Sequence, residues 1–340
     1  MASSTSHSES RVPWLAVGLL GAAVAAWLLG AAYTLWLNPE TRFNVFAGQL
    51  KQAWARKLTQ EQGAKVVIFG GSSCTFSIDG ERLQQKFGLP TVNMGLSAGL
   101  GAQLLTSWAM SETKPGDTLI MALEPDLLTV DNAEHSLSAI QFGYAMGAPQ
   151  WLNRVELTDQ RLGRVSGLLA LRPGGFYAFT LLGKLARGAE LYRYKPTDFH
   201  ASGWQETAVR MPINGPPGNG PHLSADSRRL LSGLRAWGQE NHVRLAYSLP
   251  WGYTPEPEVA RAQQAEIPLL LEISEYLPVL KDPRLGAYAV LEHYADTNWH
   301  LIPEGAALRT DALGAQLQKW DVWTREELQA WLAPPAARPP

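Results

Sequence analysis

Uncharged residues run without a break from Val12 to Leu37, 26 positions in all. A helix needs about 20 such residues to cross the hydrocarbon core of a bilayer, and with some tilt this run covers it. Every face of the predicted helix is apolar, unlike an amphipathic helix lying on a soluble core. Trp14 at one end, and Tyr33 and Trp36 at the other, occupy the places of interfacial aromatics. Pro13 falls in the first turn, where a missing N–H costs little. The alternative is a cleaved signal peptide with Gly30-Ala31-Ala32 as a small-residue cleavage site. Signal peptides carry an apolar region of roughly 7–15 residues, and this one is far longer. The chain therefore opens with a short tail (1–11) and a transmembrane anchor (12–37).

Beyond the anchor the pattern turns periodic. Phe43, Phe46, Leu50, Trp54 and Leu58 recur at three- and four-residue spacing and predict an amphipathic helix from Phe43 to about Gln62. This linker segment (38–63) leads from the membrane into the domain. Short apolar runs at Lys65–Phe69, Thr91–Asn93, Asp117–Leu123, Val243–Tyr247 and Ala287–Glu292 predict about five buried strands. Helical stretches at Glu81–Phe87, Leu100–Ser111, Ser224–Glu240, Glu256–Leu277 and Ala306–Trp320 separate and follow them. Such alternation predicts an α/β domain (64–330) with a central parallel sheet and helices on both faces. The rhythm breaks at about 130–220, where helical pieces and the turn Asn214–Gly220 predict a mainly helical insertion over one end of the sheet. Its aromatics (Trp151, Phe176, Tyr177, Tyr192, Tyr194, Trp204) favour a core role over a sugar platform. A Pro-rich tail (331–340) closes the chain.

Composition narrows the classes. With 46% hydrophobic residues among 340, the chain can bury a large core. A formal charge of −2 brings no basic excess and argues against a nucleic-acid surface. The single cysteine, Cys74, cannot form an internal disulfide, and no Cys/His metal spacing is present. Arg11 precedes the anchor, whereas Arg42, Lys51, Arg56 and Lys57 follow it. Counted alone, these charges place the domain on the cytoplasmic side, but long domains translocate largely regardless of them.

Three short segments carry candidate chemistry. Gly70-Gly71-Ser72-Ser73 follows the first strand, and a glycine turn at a strand's C-terminal end exposes the next side chain where open α/β sheets place their sites. Such a serine becomes nucleophilic only with a base beside it. Asp296-Thr-Asn-Trp-His300 supplies a carboxylate shortly before a histidine, able to hold the imidazole tautomer. Asn93-Met-Gly95-Leu-Ser-Ala-Gly99 follows the second strand, and its glycines allow backbone N–H groups to approach a developing oxyanion. Taken singly, each reads as an ordinary turn, helix start or loop; their order and placement make the combination informative.

In that combination the chain resembles the SGNH/GDSL hydrolases. Val66–Asp79 resembles the first family block, in the form found in membrane-anchored variants whose strand ends in Gly-Gly-Ser or Gly-Ser-Ser. Asn93–Gly99 resembles the second block, and Asp296–Gly305 the last. The likeness covers roughly 64–132 and 240–318 and leaves the insertion out. It implies a three-layer, flavodoxin-like SGNH fold, with Ser72 as nucleophile, His300 as base and Asp296 as its orienting acid. Gly95 and the Ser72 backbone N–H would form the oxyanion hole, with Ser73 the rival nucleophile. No metal or organic cofactor is implied.

Two positions depart from the family pattern. Glu124, in Ala122-Leu-Glu-Pro-Asp126, stands where an oxyanion-binding Asn is expected, and one residue too many separates Asp296 from His300, leaving Thr297 three before it. His7, His135, His200, His222, His242 and His293 show no ligand spacing, and Cys74 reads as a buried filler. Two functions are expected from the resemblance. One is a serine esterase or O-acyltransferase, for acetyl groups in the first instance, acting on an envelope or exported polysaccharide with a membrane O-acyltransferase as partner. The other is an inactive SGNH-like module scaffolding a membrane-bound polysaccharide-modifying complex. The resemblance also implies a single-pass protein of the bacterial inner membrane with its domain on the periplasmic side.

Overall fold

A computed structural model of the chain describes residues 14–131, 136–152, 175–213 and 220–332. The N-terminal tail, Pro13, His135, the Asn214–Asn219 part of the predicted turn and most of the Pro-rich tail lie outside these residues, as does 153–174 of the insertion.

Helix α1 (Trp14–Trp36) has 23 residues, 6% of its most apolar window is buried, and it is long and apolar enough to cross a membrane. At about 1.5 Å per residue it spans roughly 35 Å. It stops at Asn38-Pro39, because a residue before proline is pushed out of the helical region. Asn38 is extended (φ −63°, ψ 119°) and its side chain accepts from Glu40 N at 3.0 Å, capping α2 (Pro39–Gln62). The linker helix thus starts four residues before the apolar pattern predicts.

Its buried stripe also differs from the predicted one. Phe43, Asn44, Ala47, Gly48, Lys51, Ala55 and Leu58 face inward, while Phe46 is 38% exposed. Small residues decide the stripe: a Cβ at Gly48 would lie 3.1 Å from the Phe142 ring.

The strands are β1 (Val66–Phe69), β2 (Thr91–Asn93), β3 (Thr118–Met121) and β4 (Arg244–Tyr247), all parallel, in the order β2-β1-β3-β4. Val66 pairs with Thr91 on one side and Thr118 on the other, and Thr118 pairs with Arg244. Alternation along β1 sends Val67 and Phe69 to one core and Val66 and Ile68 to the other. Both faces are covered, which is why the strand reads as a continuous apolar run.

Between the strands come α3 (Ser72–Ser77), α4 (Gly80–Phe87), α5 (Gly101–Ser111), α6 (Pro125–Thr129), α7 (Leu137–Ala145), α8 (Gly175–Ala186) and α9 (Ala225–Glu240). After β4 come β5 (Gly252–Tyr253), α10 (Val259–Ser274), β6 (Ala287–Tyr288), α11 (Pro303–Lys319) and α12 (Arg325–Ala330). The larger core joins α2, α5, α9 and α10 to one face of the sheet; α3, α4 and α11 close the other.

The predicted fifth strand is a correction. Ala287–Tyr288 pairs with Gly252–Tyr253 in a separate two-stranded sheet, and a single bridge from Tyr247 to Val279 stands next to β4. Pro278 and Pro283 flank that bridge, and proline cannot donate to a sheet ladder.

In the insertion, Trp151 joins Trp108 and Phe142 in an aromatic cluster, with ring centroids 6.0–6.5 Å apart. Tyr192 and Tyr194 instead border the cavity described next.

Candidate active site

The site forms where β1 and β3 end side by side. A Cβ at Gly70 would lie 2.2 Å from Ala122 O, and one at Gly71 would lie 2.3 Å from Glu124 Oε2. Both glycines are needed for the turn to pass this close to β3. Ser72 then opens α3, where the first N–H groups of a helix have no intrahelical acceptor.

Glu124 supplies acceptors for that turn. It is 1% exposed, and its two oxygens accept from Gly71 N at 3.0 Å and Ser73 N at 2.8 Å. Burial raises its pKa, and the backbone hydrogen bonds offset only part of that rise. The carboxylate is directed at the backbone of the serine turn and is not among the side chains lining the cavity. Ser73 is buried behind the turn, whereas Ser72 lines a cavity of about 190 Å³.

His300 lines the same cavity from the opposite end of the chain. Its Nδ1 lies 2.7 Å from Asp296 Oδ1, leaving Nε2 as the nitrogen free to exchange protons with a neighbour. The extra residue between the two is absorbed in a tight turn. Ala295 N donates to His300 O at 2.8 Å, and Tyr294 bridges Leu301. Thr297 Oγ1 accepts from Trp299 N and His300 N at 3.2 and 3.1 Å, so Thr297 closes the turn. The Phe76 ring packs on the imidazole with centroids 4.2 Å apart.

The insertion completes the carboxylate's surroundings. Asp296 Oδ2 accepts from Arg193 Nη1 at 2.6 Å and from the Tyr194 hydroxyl at 2.8 Å. Burial pushes the Asp296 pKa up, but hydrogen bonds and charge from His300, then Tyr194 and Arg193, outweigh it and hold it at about 2. The Tyr192-Arg-Tyr194 triplet is visible in the sequence, but nothing in its spacing ties it to Asp296.

Gly95 is placed differently from the expectation. Its N–H donates to Asn93 Oδ1 at 2.8 Å, so that donor is occupied. Asn93 also donates to Cys74 O and Ile78 O at 2.8 and 2.7 Å, tying the end of β2 to α3. What Gly95 contributes is space, since a Cβ there would lie 2.5 Å from Thr75 N. Cys74 is fully buried, which pushes its thiol up to about 12 and makes a thiolate nucleophile unfavourable.

Phe43, Asn44, Leu96, Ser97, Phe199 and Gln205 line the rest of the cavity. The other described histidines with side-chain partners are engaged elsewhere: His200 with Glu206, His222 with Glu272 and His293 with Tyr288. Among the described residues no group of three or more His, Cys, Asp or Glu side chains is arranged to hold a metal ion. No hydrogen bond joins Ser72 to His300, although both line the same cavity. Comparison with protein-family models, with curated proteins and with solved structures finds no match.

Proposed function

We propose that the protein is an SGNH-type serine esterase or O-acyltransferase that handles short acyl groups, acetyl first among them, on an envelope or exported polysaccharide. One observation carries this reading: Ser72 and an Asp296-paired His300 line a single cavity at the C-terminal edge of a parallel sheet. In the proposed reaction Ser72 Oγ bonds to the acyl carbon while its proton passes to His300 Nε2, and the carbonyl π electrons move onto oxygen. Collapse of that intermediate expels the alcohol, which takes the proton from His300, and leaves an acyl-serine. Water or a sugar hydroxyl then takes the acyl group by the same steps in reverse. Asp296 stabilises the imidazolium throughout.

The glycan substrate, the periplasmic side of the inner membrane and a membrane O-acyltransferase partner follow from the likeness to anchored SGNH proteins, by analogy with them. The linker helix supports a membrane-borne acyl donor. Phe43 and Asn44 line the cavity from the start of α2, seven and eight residues beyond the end of α1.

A scaffolding role is the second reading. It is favoured by the occupied Gly95 N–H and by the missing Ser72–His300 hydrogen bond. Labelling with a fluorophosphonate probe separates the two. The enzyme reading expects covalent labelling of the membrane-embedded protein that disappears in folded Ser72→Ala and His300→Ala variants. A folded wild type that stays unlabelled in the presence of its membrane partner would favour the scaffold.

A further inference from the structure

The acylation step needs donors aimed at the oxyanion, about 2.7–3.1 Å from where the charge develops. One donor of the family pattern and one expected from the sequence are missing. Glu124 replaces the Asn expected at the end of β3, and Gly95 N–H is held by Asn93 at 2.8 Å. We infer that the side-chain amide of Gln205, from the insertion, is the side-chain oxyanion donor of this site, beside the Ser72 backbone N–H. The inference rests on the serine-acylation reading proposed above.

Gln205 is 1% exposed and lines the same cavity as Ser72 and His300. Its Nε2 is buried without a hydrogen-bond partner. Buried polar groups are nearly always paired, so an unpaired amide on a cavity wall is a donor waiting for a ligand. Rotation by half a turn about the terminal torsion exchanges the amide's ends, so the N–H₂ can be presented to the cavity from either.

The backbone holds this amide against the nucleophile's own helix. Gln205 N donates to Thr75 O at 3.0 Å, and Trp204 Nε1 donates to Phe76 O at 3.1 Å. His200 N donates to Trp204 O at 2.8 Å and Phe199 bridges Gln205, closing the strap on itself. A donor so fixed needs no reorganisation as charge appears on the carbonyl oxygen.

Fluorophosphonate labelling tests the assignment, because the probe's phosphoryl oxygen takes the oxyanion's place. Gln205→Met keeps length and volume but has no N–H. Its labelling rate should fall by about 10²–10³-fold, with an unchanged or higher melting temperature, since a buried unpaired group has been removed. Gln205→Glu places a carboxylate there and should label at least as slowly. Folded Gln205→Met labelled within about threefold of wild type would overturn the assignment and leave the serine-acylation reading intact. So would a loss confined to Asn44→Leu, which alters another polar group of the cavity. A lower melting temperature in Gln205→Met would mark Gln205 as structural and also overturn it. An unlabelled wild type would remove the premise and the assignment together.

Discussion

Asp296 Oδ1 lies 2.7 Å from His300 Nδ1, and its other oxygen is held by Arg193 and Tyr194. The carboxylate is therefore positioned by its own turn on one side and by the insertion on the other. Asp296→Asn presents an N–H₂ to the imidazole and favours the wrong tautomer. Its labelling rate should fall by up to about 10⁴-fold. Tyr194→Phe removes one hydrogen bond to a charged acceptor and should cost about tenfold. Arg193→Ala should cost less, because Arg193 is 45% exposed and solvent screens its charge. Equal rates in all three variants and wild type would remove Asp296 from the reaction. With the folded Asp296 carboxyl held at about 2, below its ordinary 3.8, its contribution to stability is complete above that ordinary value. It is lost as pH falls toward 2, which urea unfolding of wild type and Asp296→Asn will show.

Lys51 gives the fold a second pH dependence, at the alkaline end. Its Nζ is fully buried, donating to Asn93 O at 2.9 Å and also to Gly203 O, and burial lowers its pKa to about 7. Between that value and the ordinary 10.5, the unfolded chain keeps a proton that the folded one has released. Stability should then rise with pH across this window and level off at its lower value below about 7, where both states hold the proton. Urea unfolding at several pH values will measure the slope, and Lys51→Met should lose this part of it. An identical pH profile in wild type and variant would refute the lowered pKa.

Glu124 ties the serine turn to β3, so its charge matters to the turn rather than to the cavity. Glu124→Gln sets an N–H₂ against Gly71 N–H or Ser73 N–H, donor against donor, and should destabilise by about 1–3 kcal/mol. Gly71→Ala drives a methyl into the carboxylate at 2.3 Å and should cost about as much. Both should slow labelling through displacement of Ser72. Thermal unfolding gives the first quantity, and a Glu124→Gln protein as stable as wild type would show the carboxylate to be dispensable there.

Helix α1 is expected to hold the chain in the bilayer. The full-length protein should stay with membranes through an alkaline carbonate wash, which strips peripheral proteins. A chain beginning at Asn38 should be released. Recovery of the full-length protein in the soluble fraction would rule out the span.

Local signals were strong enough to read the long apolar N-terminal helix, four of the strands and the three segments that carry Ser72, Gly95 and the Asp296–His300 pair. Each rests on neighbours in sequence: an uncharged run long enough to span, an apolar strand before a glycine turn, a carboxylate shortly before a histidine. The fifth strand failed because Ala287–Tyr288 finds its partner in Gly252–Tyr253, a choice made by contacts 35 residues apart in register.

The site's remaining geometry is likewise non-local. Nothing near Glu124 in the sequence says that it will accept from Gly71 and Ser73, 53 and 51 residues away. Nor does anything near Asp296 announce Tyr194, 102 residues earlier. The sequence by itself determined an α/β chain with an N-terminal helix long and apolar enough to cross a membrane, a strand-end serine and an Asp–His turn, because periodicity, charge and turn chemistry act over a few residues. Only the tertiary structure decided that these meet at one cavity, that Gly95 N–H is taken, and that Gln205 stands there unpaired. Those outcomes depend on which distant groups burial forces together, and burial is settled by the packing of the whole domain.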